Sequence, residues 1–356
     1  MESDLAGRLI ALRVIGGAFA AVLLISSTIR FRRRRISRLN LLISWTVGLG
    51  IGLVAALPDV VNPVFEVFNF RRGGGQRLLG LLLLANLLLF ALVLRNLGQT
   101  DLVSRDLRLL IEVLGTHSFD WEKTETLPDG DRIVVVMPAH NEAENVGDVI
   151  RSMPRTVEGV PVVSLVVDDA STDGTADVVE GAGGLVARLP VRRGGGLALR
   201  VGYELALRLG AVVVASMDAD GQHMPGELPA VVAPILRDEV DMVQGSRVLG
   251  EFDKESHIRH LGIRFFSRVV SLMTGVRVTD VSNGYRATRT ETLRKLVLEQ
   301  DQFWTSEILL EGLRQHARIT EVPVTVRARA GGESKKPKSF KYGWNFTKAI
   351  LQTWLR

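Results

Sequence analysis

The chain has 356 residues, 46% of them hydrophobic, with a mean hydropathy of +0.19, a net charge of +5 and no cysteine. That is long enough for two units and more apolar than a plain soluble enzyme. Without thiols there is neither a disulfide nor a thiolate metal site, and no collagen-like run, long disordered tract or internal repeat stands out.

The apolar surplus lies in the first hundred residues. Three stretches, near 9–29, 41–61 and 78–97, approach the roughly 20 residues needed to cross about 30 Å of hydrocarbon. A cleaved signal peptide is disfavoured for the first, because the basic cluster Arg30 and Arg32 to Arg35 follows the apolar core. By the positive-inside rule this cluster faces the cytoplasm, and the third stretch returns the chain there. Arg71, Arg72 and Arg77 oppose that orientation and are outnumbered. The expectation is an integral protein of the plasma membrane, with a transmembrane module at 1–100 and everything after it cytoplasmic. Segment 101–130 then reads as an amphipathic helix with Leu102, Leu109 and Val113 on one face, followed by a polar linker.

From Asp131 the pattern changes to strand, polar turn and helix, the rhythm of an α/β fold with a mostly parallel sheet whose ligands sit at the carboxyl ends of strands. The run Ile133 to Met137 breaks at Pro138-Ala139-His140-Asn141-Glu142, and Val162 to Val167 ends in Asp168-Asp169-Ala170-Ser171-Thr172-Asp173-Gly174-Thr175. Ser171 or Asp173 can cap the helix that follows. After Gly194-Gly195-Gly196, the run Ala211 to Met217 leads into Asp218-Ala219-Asp220-Gly221-Gln222-His223. Two carboxylates flanking a small residue at a strand end can reach one divalent cation and hold a nucleotide diphosphate against it, which is the chemistry of sugar transfer from a nucleotide sugar.

Taken in order, Pro-x-His-Asn-Glu, Val-Asp-Asp-x-Ser-x-Asp-Gly-Thr, Asp-Ala-Asp-Gly-Gln-His, Gly245-Ser246-Arg247 and Asp280-Val281-Ser282-Asn283-Gly284-Tyr285-Arg286 resemble the family 2 glycosyltransferases. The nearest likeness is to the dolichol-phosphate mannose synthase and polyprenyl-phosphate glycosyltransferase branch, over roughly Asp131 to Lys336. The resemblance implies a GT-A, Rossmann-like catalytic domain at 131–337, with 338–356 as an amphipathic C-terminal helix. It places Pro138, His140, Glu142, Asp168 and Asp169 at the base and ribose of the donor. Asp218, Asp220 and Gln222 match the group that coordinates Mg2+ or Mn2+. Arg247 and one of Arg259 or Arg264 match residues that meet an acceptor phosphate, and Arg329 to Lys335, with Ser334, match a late element over the donor phosphates. The catalytic set implied is Asp218, Asp220 and Arg247. Arg192 and Gly195 depart from the usual residues of the glycine loop, which leaves the donor's identity open.

The implied reaction is inverting transfer of a hexose from a GDP-mannose or UDP-glucose type of donor to a polyprenyl or dolichyl phosphate. An ionised lipid phosphate needs no strong general base. Transfer to another lipid or glycan, or a non-catalytic membrane scaffold, are the alternatives, and the intact Asp218, Asp220 and Gln222 weigh against the scaffold. Glu307 matches an acidic family position, yet a Glu facing a neighbouring Arg explains it equally well; His223 reads as a donor-phosphate contact or a solvent-facing loop residue. Glu321-Val322-Pro323 looks like an edge strand, since proline cannot donate to a ladder. The positive charge does not imply nucleic acid, because arginines beside apolar helices suit anionic lipid headgroups and no aromatic-basic recognition motif is present. Helical stretches 257–273 and 346–355 combine apolar and basic residues as membrane-surface helices do. The oligomeric state is left open, a homo-oligomer included.

Overall fold

The computed structural model describes residues 2–32, 38–57, isolated positions between 85 and 103, 106–251, 257–327 and 340–354. Apart from four isolated positions (85, 88, 89 and 92), the expected third apolar stretch lies outside the described residues, as do the late segment containing Arg329, Ser334 and Lys335 and the side chain of Arg259. The chain divides into two compact units, Met1–Leu102 and Val103–Arg356.

In the first unit, helices α1 (Glu2–Arg32) and α2 (Arg38–Ala56) pack on each other. Small residues allow the close approach: a Cβ on Gly16 would sit 3.4 Å from that of Ala55, and one on Gly52 3.6 Å from that of Ala20. Trp45 donates its indole N–H to the Thr28 hydroxyl at 3.2 Å. Away from this seam Val14, Ile15, Phe19, Val22, Ile25, Leu42, Leu49 and Leu53 are exposed. Among the described residues no helix is long and apolar enough to cross a membrane.

The second unit is built on one mixed eight-stranded sheet of β1 (Arg132–Ala139), β2 (Thr156–Val157), β3 (Val160–Asp168), β4 (Leu185–Arg188), β5 (Ala211–Ser216), β6 (Met242–Ser246), β7 (Arg286–Arg289) and β8 (Ile319–Pro323). β4, β3, β1 and β5 are neighbours in parallel. β7 then runs antiparallel between β5 and β6, and β8 closes that edge in parallel with β6. The sheet is therefore less parallel than the chain order of motifs suggests. The run Arg132–Ala139 forms an interior strand because it is apolar on both faces: Ile133, Val135 and Met137 enter one core cluster and Val134 and Val136 the other, all fully buried.

Helices α4 (Val146–Arg151), α5 (Thr175–Gly181), α6 (Gly195–Arg208) and α7 (Leu228–Leu236) follow β1, β3, β4 and β5. α6 crosses β1 closely enough that a side chain on Gly202 would collide with Val136. Helix α3, through 106–117, packs on this unit by Ile111 and by Gly115, whose Cβ would strike Leu189. The polar stretch after it is not a bare linker, since Phe119 is buried and Leu127 packs on the same core. Helices α8 (His257–Thr274), α10 (Trp304–Arg314) and α11 (Phe340–Trp354) share a third cluster of Val270, Val281, Leu309, Leu310, Phe346 and Ile350, while the short α9 is Thr290–Leu293.

Candidate active site

The carboxyl ends of β1, β3 and β5 lie side by side, with Ala139 opposite Asp168 and Val136 opposite Ser216. That alignment brings Pro138, His140, Glu142, Asp168, Asp169, Asp218 and Asp220 to one edge of the sheet, from three segments up to 82 positions apart (220 minus 138). Such an edge, where the connections leave β1 in opposite directions, is where α/β sheets bind ligands.

The first two turns are laced together. The amides of Asn141, Glu142 and Ala143 donate to Ser171 Oγ, Thr175 Oγ1 and Asp173 Oδ2 at 2.9, 2.9 and 3.1 Å, and the amide of Thr172 returns to Asn141 Oδ1 at 2.8 Å. Asn141 and Ala170 hold φ at 52° and 57°, a conformation that costs a non-glycine residue roughly 1–3 kcal/mol and persists where neighbours enforce it. Asp173 is thus a staple between turns, beyond its expected capping role. His140 Nδ1 lies 2.8 Å from the Asp169 carbonyl; a carbonyl only accepts, so this nitrogen carries the proton.

Asp169 points away from solvent. Its two carboxylate oxygens accept the amides of Arg193 and Gly194, each at 2.7 Å, so it holds the glycine loop at the start of α6. Asp168 accepts from the Ser171 amide at 2.9 Å. Both are buried, at 6% and 3% exposure. Arg192, the unusual residue of that loop, is exposed.

At the end of β5, Asp218 is half-buried and Asp220 buried, and Gly221 turns the chain at φ 74°. Asp220 Oδ1 accepts the Gln222 amide at 3.1 Å. His223 is buried at 3% exposure, which excludes the solvent-facing reading. Its Nδ1 accepts the amide of Asp218 at 3.2 Å, so the proton sits on Nε2 and is donated to Asn283 Oδ1 at 2.9 Å. Asn283 comes from the turn that leads into the antiparallel β7, and this turn passes beside Asp218. A Cβ on Gly284 would lie 3.1 Å from Asp218 Oδ1. Arg286 is fully buried; burial pushes its guanidinium down to about 10, against the pull of Tyr203, Asp280 and Asp218, so it is charged at neutral pH.

Gln222 is tied to the chain beyond β8. Its Nε2 donates to the Arg327 carbonyl at 3.0 Å and its own carbonyl accepts the Arg327 amide at 2.9 Å. Among the described residues no group of three or more His, Asp or Glu side chains is gathered as for a metal ion.

Arg247 does not present its guanidinium to solvent. It is 7% exposed and bonded through Nε to Asp280 Oδ2 at 2.6 Å and through Nη2 to Ser282 at 2.9 Å. Arg264 is exposed on α8. The Glu307 carboxylate accepts the amides of Glu299 and Gln300, both at 2.9 Å. These partners are main-chain amides of the loop before α10, eight and seven positions away, and side-chain patterning along the chain does not reveal them.

The model of the family described as Glycosyl transferase family 2 matches residues 134–297. The chain is 32% identical over 216 residues to an undecaprenyl-phosphate mannosyltransferase of Micrococcus luteus, covering 57% of this chain and 87% of that protein. It is 28% identical over 230 residues to a dolichyl-phosphate hexose transferase of Haloferax volcanii, covering 63% and 95%. Among solved structures, glucosyl-3-phosphoglycerate synthase of Mycobacterium tuberculosis, in complex with Mn2+, UDP and glucosyl-3-phosphoglycerate, shares the fold with a TM-score of 0.50 at 22% identity, over 67% of this chain and 84% of that one. With the ordered motifs converging on one sheet edge and relatives matched over most of their length, the chain belongs to glycosyl transferase family 2 and is a glycosyltransferase.

Proposed function

We propose that the protein transfers a hexose from a nucleotide sugar to a polyprenyl phosphate at a membrane surface, with inversion at the sugar carbon. The observation that carries this reading is the likeness to transferases named for undecaprenyl and dolichyl phosphate acceptors, in a chain whose carboxylate pair stands at the end of β5. His140, Glu142 and the loops held by Asp168 and Asp169 would hold the donor's nucleoside.

Asp218, Asp220 and the Gln222 amide oxygen fit a Mg2+ or Mn2+ ion: they are hard oxygen donors, and Mg2+ is commonly held by one or two carboxylates with substrate phosphates completing its shell. Such an ion would neutralise charge on the leaving diphosphate. Around it, the protein's own residues orient the reaction. His223 and Asn283 hold the main chain at Asp218, Arg286 adds a buried positive charge behind it, and Gly284 leaves space for a close approach. The acceptor phosphate is ionised and attacks the sugar carbon as the bond to the diphosphate breaks, without a proton to remove.

Membrane contact is supported by apolar side chains that no part of the described structure covers. On α8, Leu261, Phe265 and Leu272 are 72%, 60% and 81% exposed beside the exposed Arg264 and Arg268, the mixture that suits an anionic lipid surface. On α11 the expected face divides: Phe346 and Ile350 are core, while Leu351 and Trp354 remain outside. In α3, Leu107, Leu110 and Leu114 with Leu109 and Val113 face outward. Together with the exposed apolar side chains of α1 and α2, they support the reading that the protein is anchored at the plasma membrane by its N-terminal unit and works on the cytoplasmic side.

Membranes from cells expressing the protein, incubated with radiolabelled GDP-mannose, UDP-glucose and related donors, should yield label in an acid-labile lipid. Asp220→Asn should lower that incorporation at least about a hundredfold, the scale of losing one transition-state contact, with protein level unchanged. Equal labelling by the variant would refute the cation assignment; no lipid label with any donor would refute the acceptor.

A further inference from the structure

A cluster of charges behind the glycine loop belongs to none of the roles above. Asp301, in the loop before α10, accepts Arg200 Nη2 of α6 at 2.9 Å, lies 3.1 Å from Arg108 Nε of α3 and 3.6 Å from Arg193 Nη2, and through its carbonyl accepts the Gly196 amide at 3.0 Å. Arg200 reaches on to Glu112 of α3 at 2.6 Å and to the Gln300 carbonyl at 3.2 Å, and Arg108 to the Glu299 carbonyl at 2.8 Å. The Arg200 and Asp301 side chains are 12% and 19% exposed, too enclosed for the pair to be an ordinary solvated surface contact.

The loop and the helix start meet with no slack. A side chain at Gly196 would collide with the Gln300 carbonyl oxygen, and one at Gly194 would lie 3.2 Å from that of Asp301. Glu307 pins the same loop from inside through the amides of Glu299 and Gln300. On its far side the glycine loop gives the Arg193 and Gly194 amides to Asp169. Asp301 is therefore one link from the donor pocket and one link from α3.

We propose that Asp301 is a positioning residue for the nucleotide donor, holding loop 193–196 against Asp169, and that α3 is part of the same device through Arg108 and Glu112. This rests on the assignment of the Asp168–Asp169 edge to the donor. The family model matches 134–297; Arg108, Glu112 and Asp301 stand outside that segment, so the clamp joins chain on both sides of it onto the family core. The consequence is specific: loosening the clamp weakens donor binding and leaves the transfer step alone, because the contacts of Asp301, Arg200 and Arg108 run to the glycine loop, the loop before α10 and α3.

The test uses the full-length protein in lipid vesicles. Donor KM and kcat are measured with the labelled donor, and binding of GDP and UDP in the presence of Mg2+ is measured by calorimetry. Asp301→Asn should raise donor KM and weaken nucleoside diphosphate binding about tenfold, equivalent to roughly one lost charge-assisted contact, with kcat within about twofold. Asp301→Glu should recover part of the affinity. Unchanged donor affinity in Asp301→Asn, or a fall in kcat alone, overturns the proposal. If Asp301→Asn does not fold, Arg108→Gln, which removes the Arg108 contact of α3 with Asp301 and leaves the Glu112–Arg200 pair, carries the test, and unaltered nucleotide binding there overturns it equally. Asp169→Asn separates the two readings. If it binds nucleotide like the parent, the donor assignment itself is wrong; if it binds weakly while Asp301→Asn does not, only the clamp falls.

Discussion

Arg247 shows how far a side chain's surroundings can redirect its chemistry. A guanidinium after Gly245-Ser246 was expected to meet a ligand phosphate, yet it is buried against the fully buried Asp280, with the Ser282 hydroxyl as a second acceptor. Removing one partner of such a pair leaves an uncompensated charge and costs about 3–5 kcal/mol. Asp280→Asn should therefore lower unfolding stability by about 3 kcal/mol, less what the amide oxygen can still accept, as read by denaturant unfolding. If stability is unchanged and only acceptor affinity falls, Arg247 is reserved for a ligand. His223 makes the same point: a histidine beside two carboxylates invites a ligand role, and the fold uses both ring nitrogens to hold the main chain of Asp218 and the side chain of Asn283.

Among the elements, the far edge of the sheet carries a charge pairing with a defined pH response. Arg318, just before β8, bonds the Asp241 carboxylate, just before β6, through Nε and Nη2 and also through its amide. Hydrogen bonds from the Arg318 guanidinium hold the Asp241 carboxyl below the ordinary carboxylate range. Its folded-state value is lowered, so the stabilisation is present above the unfolded value, about pH 4, and is lost as pH falls through the lowered one. Asp241→Asn should remove part of the acid-induced loss of stability below about pH 4 and leave the shape of the curve above pH 6 unchanged. A stability–pH curve parallel to the parent's throughout would show that the pair contributes nothing at this edge. Elsewhere single glycines set how close elements come, as where α6 crosses β1 at Gly202.

At the scale of the whole molecule, the proposed function requires a soluble nucleotide sugar and a lipid-borne acceptor to meet at one sheet edge, and exposed apolar surface is the means proposed. The double substitution Leu261→Glu, Phe265→Glu should reduce transfer to a long-chain polyprenyl phosphate in anionic vesicles about tenfold or more, since placing charge on a lipid-facing helix opposes insertion. Transfer to a short, water-soluble prenyl phosphate should stay within about twofold. Equal losses on both acceptors would make α8 part of the transfer site and not a lipid contact.

The α/β rhythm, the strands β1, β3 and β5 and the carboxylates at their ends were legible along the chain, because apolar runs on both faces and the polar turns that end them are local patterns. The edge position of β8 was legible for the same reason, through Pro323. The antiparallel β7, the burial of Arg247, the hold of Glu307 on the loop before α10 and the Asp301 clamp were not, since each depends on partners that no spacing along the chain specifies: Asn283 lies 60 positions from His223, and Glu112 88 from Arg200. Chemistry and strand order at the pocket follow from patterning over a few residues. Which charges stay available to a ligand and which are consumed in holding the pocket together follows from packing, because desolvation leaves a buried ion little choice but to take the nearest counter-charge.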